Sequence, residues 1–217
     1  IDSGENPPQG VIVYYSLPAE LSGDVKLTIL DAEGKNIKSF GPKPKADPAK
    51  PTAAEELYLP VAPGLNRFIW DMRYPDAEKL PGDVITEKSV TGALAAPGNY
   101  AVRLQVGDAT LEESFEIFVN PATGVSAEAM TEQFSLWQTV NGKITQTHAA
   151  IKKLRRVRDQ MKLWAENAGS AGLDAKAATA LAARAKQIGE QLGEVEKELV
   201  SVDSKTAFDR LRKPIRL

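Results

Sequence analysis

The chain has 217 residues, no cysteine, one histidine and a formal net charge of −2. Disulfides and thiolate metal sites are therefore excluded, and so is a membrane-spanning helix, because the longest apolar run, Val11-Ile12-Val13-Tyr14-Tyr15, falls far short of the ~20 residues a bilayer requires. The charge is unevenly placed: the first 120 residues hold 11 Lys+Arg against 18 Asp+Glu and nearly all of the prolines, whereas the remainder is net positive and rich in Ala, Lys and Gln.

A composition step of that kind near Asn120-Pro121 predicts two units of different class, a β domain over 1–120 and a helical one over 121–217. Val11 to Leu17, β-branched and aromatic and stopped by Pro18, reads as a first or edge strand. Val25, Leu27 and Ile29 alternate with polar residues, and Asp31-Ala32-Glu33-Gly34 turns the chain into Asn36–Phe40, which makes a hairpin. The Asp-x-Glu-Gly spacing is shared with the start of a calcium loop. The later acidic ligands of such a loop are missing, so the turn reading is favoured.

Residues 41–56, with four prolines among Lys and Ala, are expected to be an irregular surface loop. After the short Leu57–Val61 segment comes Gly64–Tyr74, where Asn66, Phe68, Trp70 and Met72 alternate with Arg67, Ile69, Asp71 and Arg73. This is the period of a half-buried strand, and its two large aromatics make it the expected central strand of the β domain. Pro75 to Ala96 is a second long connection. Ala96-Pro97-Gly98-Asn99 then leads into Tyr100–Val106, and Gly107-Asp108 closes a hairpin onto Thr110–Val119. About seven short strands with turn signals between them predict an antiparallel sandwich of immunoglobulin or fibronectin type, with Tyr100 placed as a corner tyrosine.

From Ser126, an N-cap residue, bulky residues recur at Met130, Phe134, Trp137, Val140, Ile144, His148, Ile151, Leu154, Val157, Met161 and Trp164. Steps of three and four over that distance predict one helix of roughly 38 residues, about 57 Å long. It should end in Asn167–Gly172. A second helix, capped near Asp174, carries Leu181, Ala185, Ile188, Leu192, Val195, Leu199 and Val202 in a coiled-coil-like four-three alternation. The whole chain is thus expected to be α+β: a sandwich followed by a long antiparallel helical hairpin.

No set of residues announces chemistry. His148 lies on the apolar stripe and reads as a packed or partly exposed interface histidine. The cluster Lys152, Lys153, Arg155, Arg156, Arg158 and Lys162 could track phosphates, but it spreads around the helix without stacking aromatics, so a solvated face is favoured. Asp71 with Arg67 and Arg73 reads as ion pairing on a sheet surface rather than ligand recognition. Glu112, Glu113 and Glu116 could imitate a glycosidase pair, though nothing sets them across a cleft. No catalytic, cofactor-binding or metal-binding residue is assigned.

Gly10–Pro18, Val25–Asp31, Gly64–Tyr74, Ala96–Leu104 and Leu154–Arg158 together resemble the C-terminal region of bacterial exported proteins that carry a sortilin-like or BNR-repeat β-propeller, often labelled glycosyl hydrolases. The resemblance covers most of the chain, but the Ser-x-Asp-x-Gly-x-Thr-Trp boxes of the propeller blades are absent, so no propeller residue is carried over. It implies a fibronectin-like appendage plus helices, an extracytoplasmic location, and the propeller and further helices as partners. The chain begins at Ile1 without a leader and stops soon after Pro214, and it is expected to be a processed or excised piece. The expected function is a non-catalytic structural or interaction module, with self-association through the hairpin and no nucleic acid. The alternative is a carbohydrate-binding module using Tyr14, Tyr58 or Tyr74, and a glycosidase is third.

Overall fold

The computed structural model describes residues 8–21, 23–44, 57–81, 90–170, 172 and 174–199. The chain divides into two compact units, Ile1–Pro75 with Gly92–Trp137, and Asp76–Thr91 with Gln138–Leu217. Residues 121–137 thus belong with the strands, and 76–91 with the helices, although the composition changes near Asn120.

The first unit contains β1 (Val11–Leu17), β2 (Val25–Leu30), β3 (Asn36–Phe40), β4 (Gly64–Trp70), β5 (Gly98–Val106) and β6 (Ala109–Ile117). They form two antiparallel sheets, β1-β4 and β3-β2-β5-β6. Tyr15 and Leu17 of β1 and Phe68 and Trp70 of β4 share one buried cluster with Val25, Leu27, Ile29, Phe40 and Tyr100 of the other sheet. Aromatic rings join the two layers: Phe40 to Phe68 at 4.7 Å, and Trp70 to Tyr100 and Phe115 at 6.1 and 6.4 Å. Centroid spacings of 4.5–7 Å in tilted arrangements are the favourable range for such pairs, so the core needs no disulfide.

Alternation located the strands well but ranked them wrongly. β4 is not central: among the described strands it pairs with β1 alone, from Val11↔Trp70 to Leu17↔Gly64. The centre of the larger sheet is β2 with β5, where Leu27 lies between Phe40 and Leu104. The residues of β2 from Leu27 to Leu30 are buried without a break, which is what a strand covered on both faces shows. Six strands are present among the described residues rather than about seven. The 57–61 segment is extended but unpaired as a strand; it buries Leu59 and ties the Leu59 N–H to the Gly41 carbonyl at 2.8 Å.

At the β2–β3 turn the Asp31 carboxylate accepts the N–H groups of Glu33 and Lys35 at 3.2 and 2.8 Å, and Gly34 adopts φ 77°. The carboxylate is spent on the turn, as local Asp side chains commonly are. At the start of β5, the Tyr100 hydroxyl donates to the Ala96 carbonyl at 2.7 Å.

The long helix α1 (Ala127–Asn167) is capped by the Ser126 hydroxyl, which accepts from Ala129 N–H at 3.2 Å. Its own backbone N–H and the Ser126 hydroxyl hold the Glu128 carboxyl below the usual range. Phe134, in the turns of α1 that belong to the first unit, packs edge-on against Tyr74 at 4.8 Å.

In the second unit α1 continues to Asn167 and α2 (Ala175–Leu199) follows, with Asp174 accepting from Ala177 N–H at 2.9 Å as its cap. Residue 158 of α1 reaches Gly189 and Glu196 of α2, and residue 155 also reaches Glu196, so α2 runs back along α1. A strap, 76–81, covers another side of α1. Glu78 N–H donates to Thr145 Oγ1 at 3.0 Å, the Glu78 carbonyl meets His148 Nδ1 at 2.5 Å, and Arg155 donates to the Pro81 carbonyl at 2.9 Å. Those helix positions step by three and by seven along one face, and between them Ile151 is sealed against Leu80. The wide apolar arc of α1 is therefore shared between α2 and a strap from elsewhere in the chain.

Candidate functional site

Among the described residues each unit has an open concave surface. In the helical unit a groove of about 670 Å³ runs beside Arg158 and Lys162 of α1 and Ala182, Ala185 and Gly189 of α2. It is floored by small residues because α2 carries alanines and a glycine where it passes α1. Its rim bears both signs of charge, Lys162 and Glu166 on one helix, Lys186 and Glu190 on the other.

At the far end of that contact sits the most buried charge described. Glu196, only 2 % exposed, accepts from Arg155 Nε at 2.6 Å and from Arg158 Nη1. Lys152 pairs with Glu78 at 2.5 Å. With Lys162 beside Glu166 at 3.9 Å, four of the six basic residues expected on a solvated face are engaged in ion pairs. The α2 stripe shifts accordingly: Val195 is 47 % exposed, and its place on the buried face is taken by Glu196. Reading α2 at 3.6 rather than 3.5 residues per turn puts Ala185, Gly189, Leu192 and Glu196 in line, and that was the available signal.

In the β unit a cleft of about 220 Å³ is lined by Arg73, Leu94, Pro97, Met130, Phe134 and Trp137. Arg73 is held by its backbone and by its side chain. Its N–H donates to Asp71 Oδ1 at 3.1 Å, its carbonyl accepts from Trp70 Nε1 at 3.3 Å, and its Nη1 donates to the Gly92 carbonyl at 2.9 Å. Met72 and Tyr74 on either side exchange backbone hydrogen bonds with Ala95 and Ala93. The expected side-chain pairing of Asp71 with Arg67 and Arg73 is replaced by these backbone contacts.

The remaining sequence candidates are separate from both surfaces. His148 is buried against the strap, as a packed histidine. Glu112 pairs with Arg103 at 2.8 Å on β5–β6. Glu113, the next residue of the strand, projects to the opposite face. Tyr14 is 60 % exposed on β1, whereas Tyr58 and Tyr74 are half-buried. Burial raises the Tyr74 phenol well above its ordinary value, with the neighbouring Tyr100 adding to the effect. Among the described residues no group of three His, Asp or Glu side chains could hold a metal ion, and no helix is long and apolar enough to cross a membrane. Compared with known proteins, the chain matches no family model, no curated protein and no solved structure.

Proposed function

We propose that the chain is a non-catalytic structural or interaction module, an immunoglobulin- or fibronectin-like sandwich joined to a helical hairpin, and that the hairpin groove is its contact surface. The observation that carries this reading is the groove itself, lined along its length by small residues of α2. Two-fold self-association places a patch against its own copy. A rim with Lys162 and Glu166 facing Lys186 and Glu190 suits that arrangement, because neither sign dominates. Elsewhere on α1 the exposed Leu163 and Trp164 add apolar surface to the hairpin, of the kind that marks interaction sites.

For the sandwich, the sheet orders support the finer assignment. Taking β1 and β4 as strands B and E, and β3-β2-β5-β6 as C′-C-F-G, gives the immunoglobulin-type arrangement, with Tyr100 and its bond to Ala96 at the corner-tyrosine position of strand F. The motif set around Gly64–Tyr74 is the support for an exported parent protein with a β-propeller, whose other domains would be natural partners.

Light scattering of the full chain across concentration tests the contact surface, with Ala183→Arg as a variant that fills the groove from an exposed position. The expectation is a concentration-dependent dimer that the variant abolishes. A chain that stays monomeric and binds no hydrophobic dye would refute the reading.

A further inference from the structure

The Arg73 cleft of the β unit has a chemistry that the hairpin groove lacks. Its guanidinium is half-buried, and among the described residues no carboxylate pairs with it. One of its five N–H donors is spent on the Gly92 carbonyl, which holds the side chain without neutralising it, while the Asp71 carboxylate and Trp70 Nε1 hold the Arg73 backbone. The other lining side chains are uncharged: Leu94 and Pro97, then Met130, Gln133, Phe134 and Trp137 of α1. A fixed cation against apolar walls strengthens a charge-assisted hydrogen bond relative to water, and a planar guanidinium suits a carboxylate better than a point cation would. At about 220 Å³ the space is smaller than a drug-sized pocket and has room for a body the size of one side chain.

We propose that this cleft binds a carboxylate bearing a small aryl or alkyl group, with the carboxylate on Arg73 and the apolar body against Phe134 and Trp137. The same chemistry is offered by a free small acid and by the C-terminus of a peptide ending in an apolar residue. Both place one negative charge next to one side-chain-sized body.

Calorimetric titration of the full chain with phenylacetate, with phenylacetamide, and with a short N-acetylated peptide ending in a free Phe carboxylate separates these sources. Binding of the acid or the peptide with the neutral amide at least tenfold weaker is the expected result, and whichever of the two binds more tightly identifies the source. Arg73→Met should weaken binding by about tenfold to a hundredfold, the range for a lost hydrogen bond to a charged group. Because Arg73 also braces Gly92, Gln133→Glu serves as the second variant. It changes an exposed position of α1, leaves the framework bonds alone, and sets a competing carboxylate in the cleft, so it should weaken the acid to a similar degree. Failure of both acid and peptide to bind, equal binding of the amide, or affinity unaffected by Gln133→Glu would overturn the proposal.

Discussion

Glu196 of α2 accepts a hydrogen bond from Arg155 of α1 at 2.6 Å while almost wholly shielded from water. A second guanidinium, Arg158, occupies its other oxygen. A carboxylate so enclosed is tolerated because both oxygens are satisfied by opposite charge. Removing one partner of a buried pair commonly costs more than the intact pair contributes.

Glu196→Ala should therefore destabilise the helical unit, by about 1–3 kcal/mol rather than the ~3–5 kcal/mol of fully enclosed pairs. The arginine side chains are 29 % and 38 % exposed and can turn to water. Thermal melting followed by far-UV circular dichroism reads this. Replacing all three by apolar residues, Glu196→Leu with Arg155→Met and Arg158→Met, should recover most or all of the loss. A melt unchanged by Glu196→Ala would mean that the pair contributes nothing.

Trp70→Ala should cost about 3–5 kcal/mol, as truncation of a large core aromatic does. Trp70 is completely buried and contacts Tyr100 and Phe115 of the opposite sheet. Chemical denaturation measures the change, and an unaltered midpoint would contradict the packing of the two sheets.

Alkaline stability should fall in a defined window. Burial pushes the Tyr15 phenol from 10.0 up to about 12, and its hydroxyl donates to the Pro60 carbonyl. Above pH 10 the unfolded chain gives up this proton while the folded chain keeps it, so stability decreases as pH rises toward 12. Burial raises Tyr74 and Tyr100 in the same direction. Denaturation midpoints taken on either side of pH 10 should show the loss, and Tyr15→Phe should reduce its size. A flat profile through pH 12 would be the opposing result.

The sequence made some of this fold readable and hid the rest for physical reasons. Alternation placed β2, β4, β5 and β6, β-branched composition ahead of Pro18 placed β1, the turn at Asp31 placed β3, and Ser126 and Asp174 marked both helix starts through their capping oxygens. Alternation does not say how many neighbours a strand has, so the two large aromatics of β4 single out as central a strand that, among the described residues, pairs with β1 alone. The strap at 76–81 has no periodicity of its own, and its bonds to Thr145 and His148 are tertiary. In the candidate cleft, Arg73 and Trp137 were visible as residues but not as neighbours. Tertiary contacts, among them the pairing of Arg73 with Leu94 and the packing of Phe134 on Tyr74, bring those stretches together.

Gly92→Ala should be among the more damaging small substitutions. A Cβ at that position would overlap the Tyr74 carbonyl and press on that of Pro75, and the obstruction is backbone, which cannot rotate away. A loss of about 1–3 kcal/mol, the usual overpacking range, is the minimum expected from a urea midpoint. Wild-type stability in this variant would show that the approach is looser than described.

The purified chain should leave chromogenic glycosides intact. Retaining and inverting glycosidases need two carboxyl groups facing one another across a scissile bond, whereas Glu112 is paired with Arg103 and Glu113 lies on the other face of β6. Turnover that a single Glu112→Gln or Glu113→Gln change abolishes would overturn this.

The pairing of β1 with β4 has a kinetic side. β2 with β3 and β5 with β6 are hairpins whose strands are neighbours in the chain, but β1 must wait for β4 until β2 and β3 have been threaded past. Closing so wide an interval costs chain entropy before any contact rewards it. The small sheet should therefore close late. Weakening it, for example at Val13 opposite Phe68, should speed unfolding far more than it slows folding.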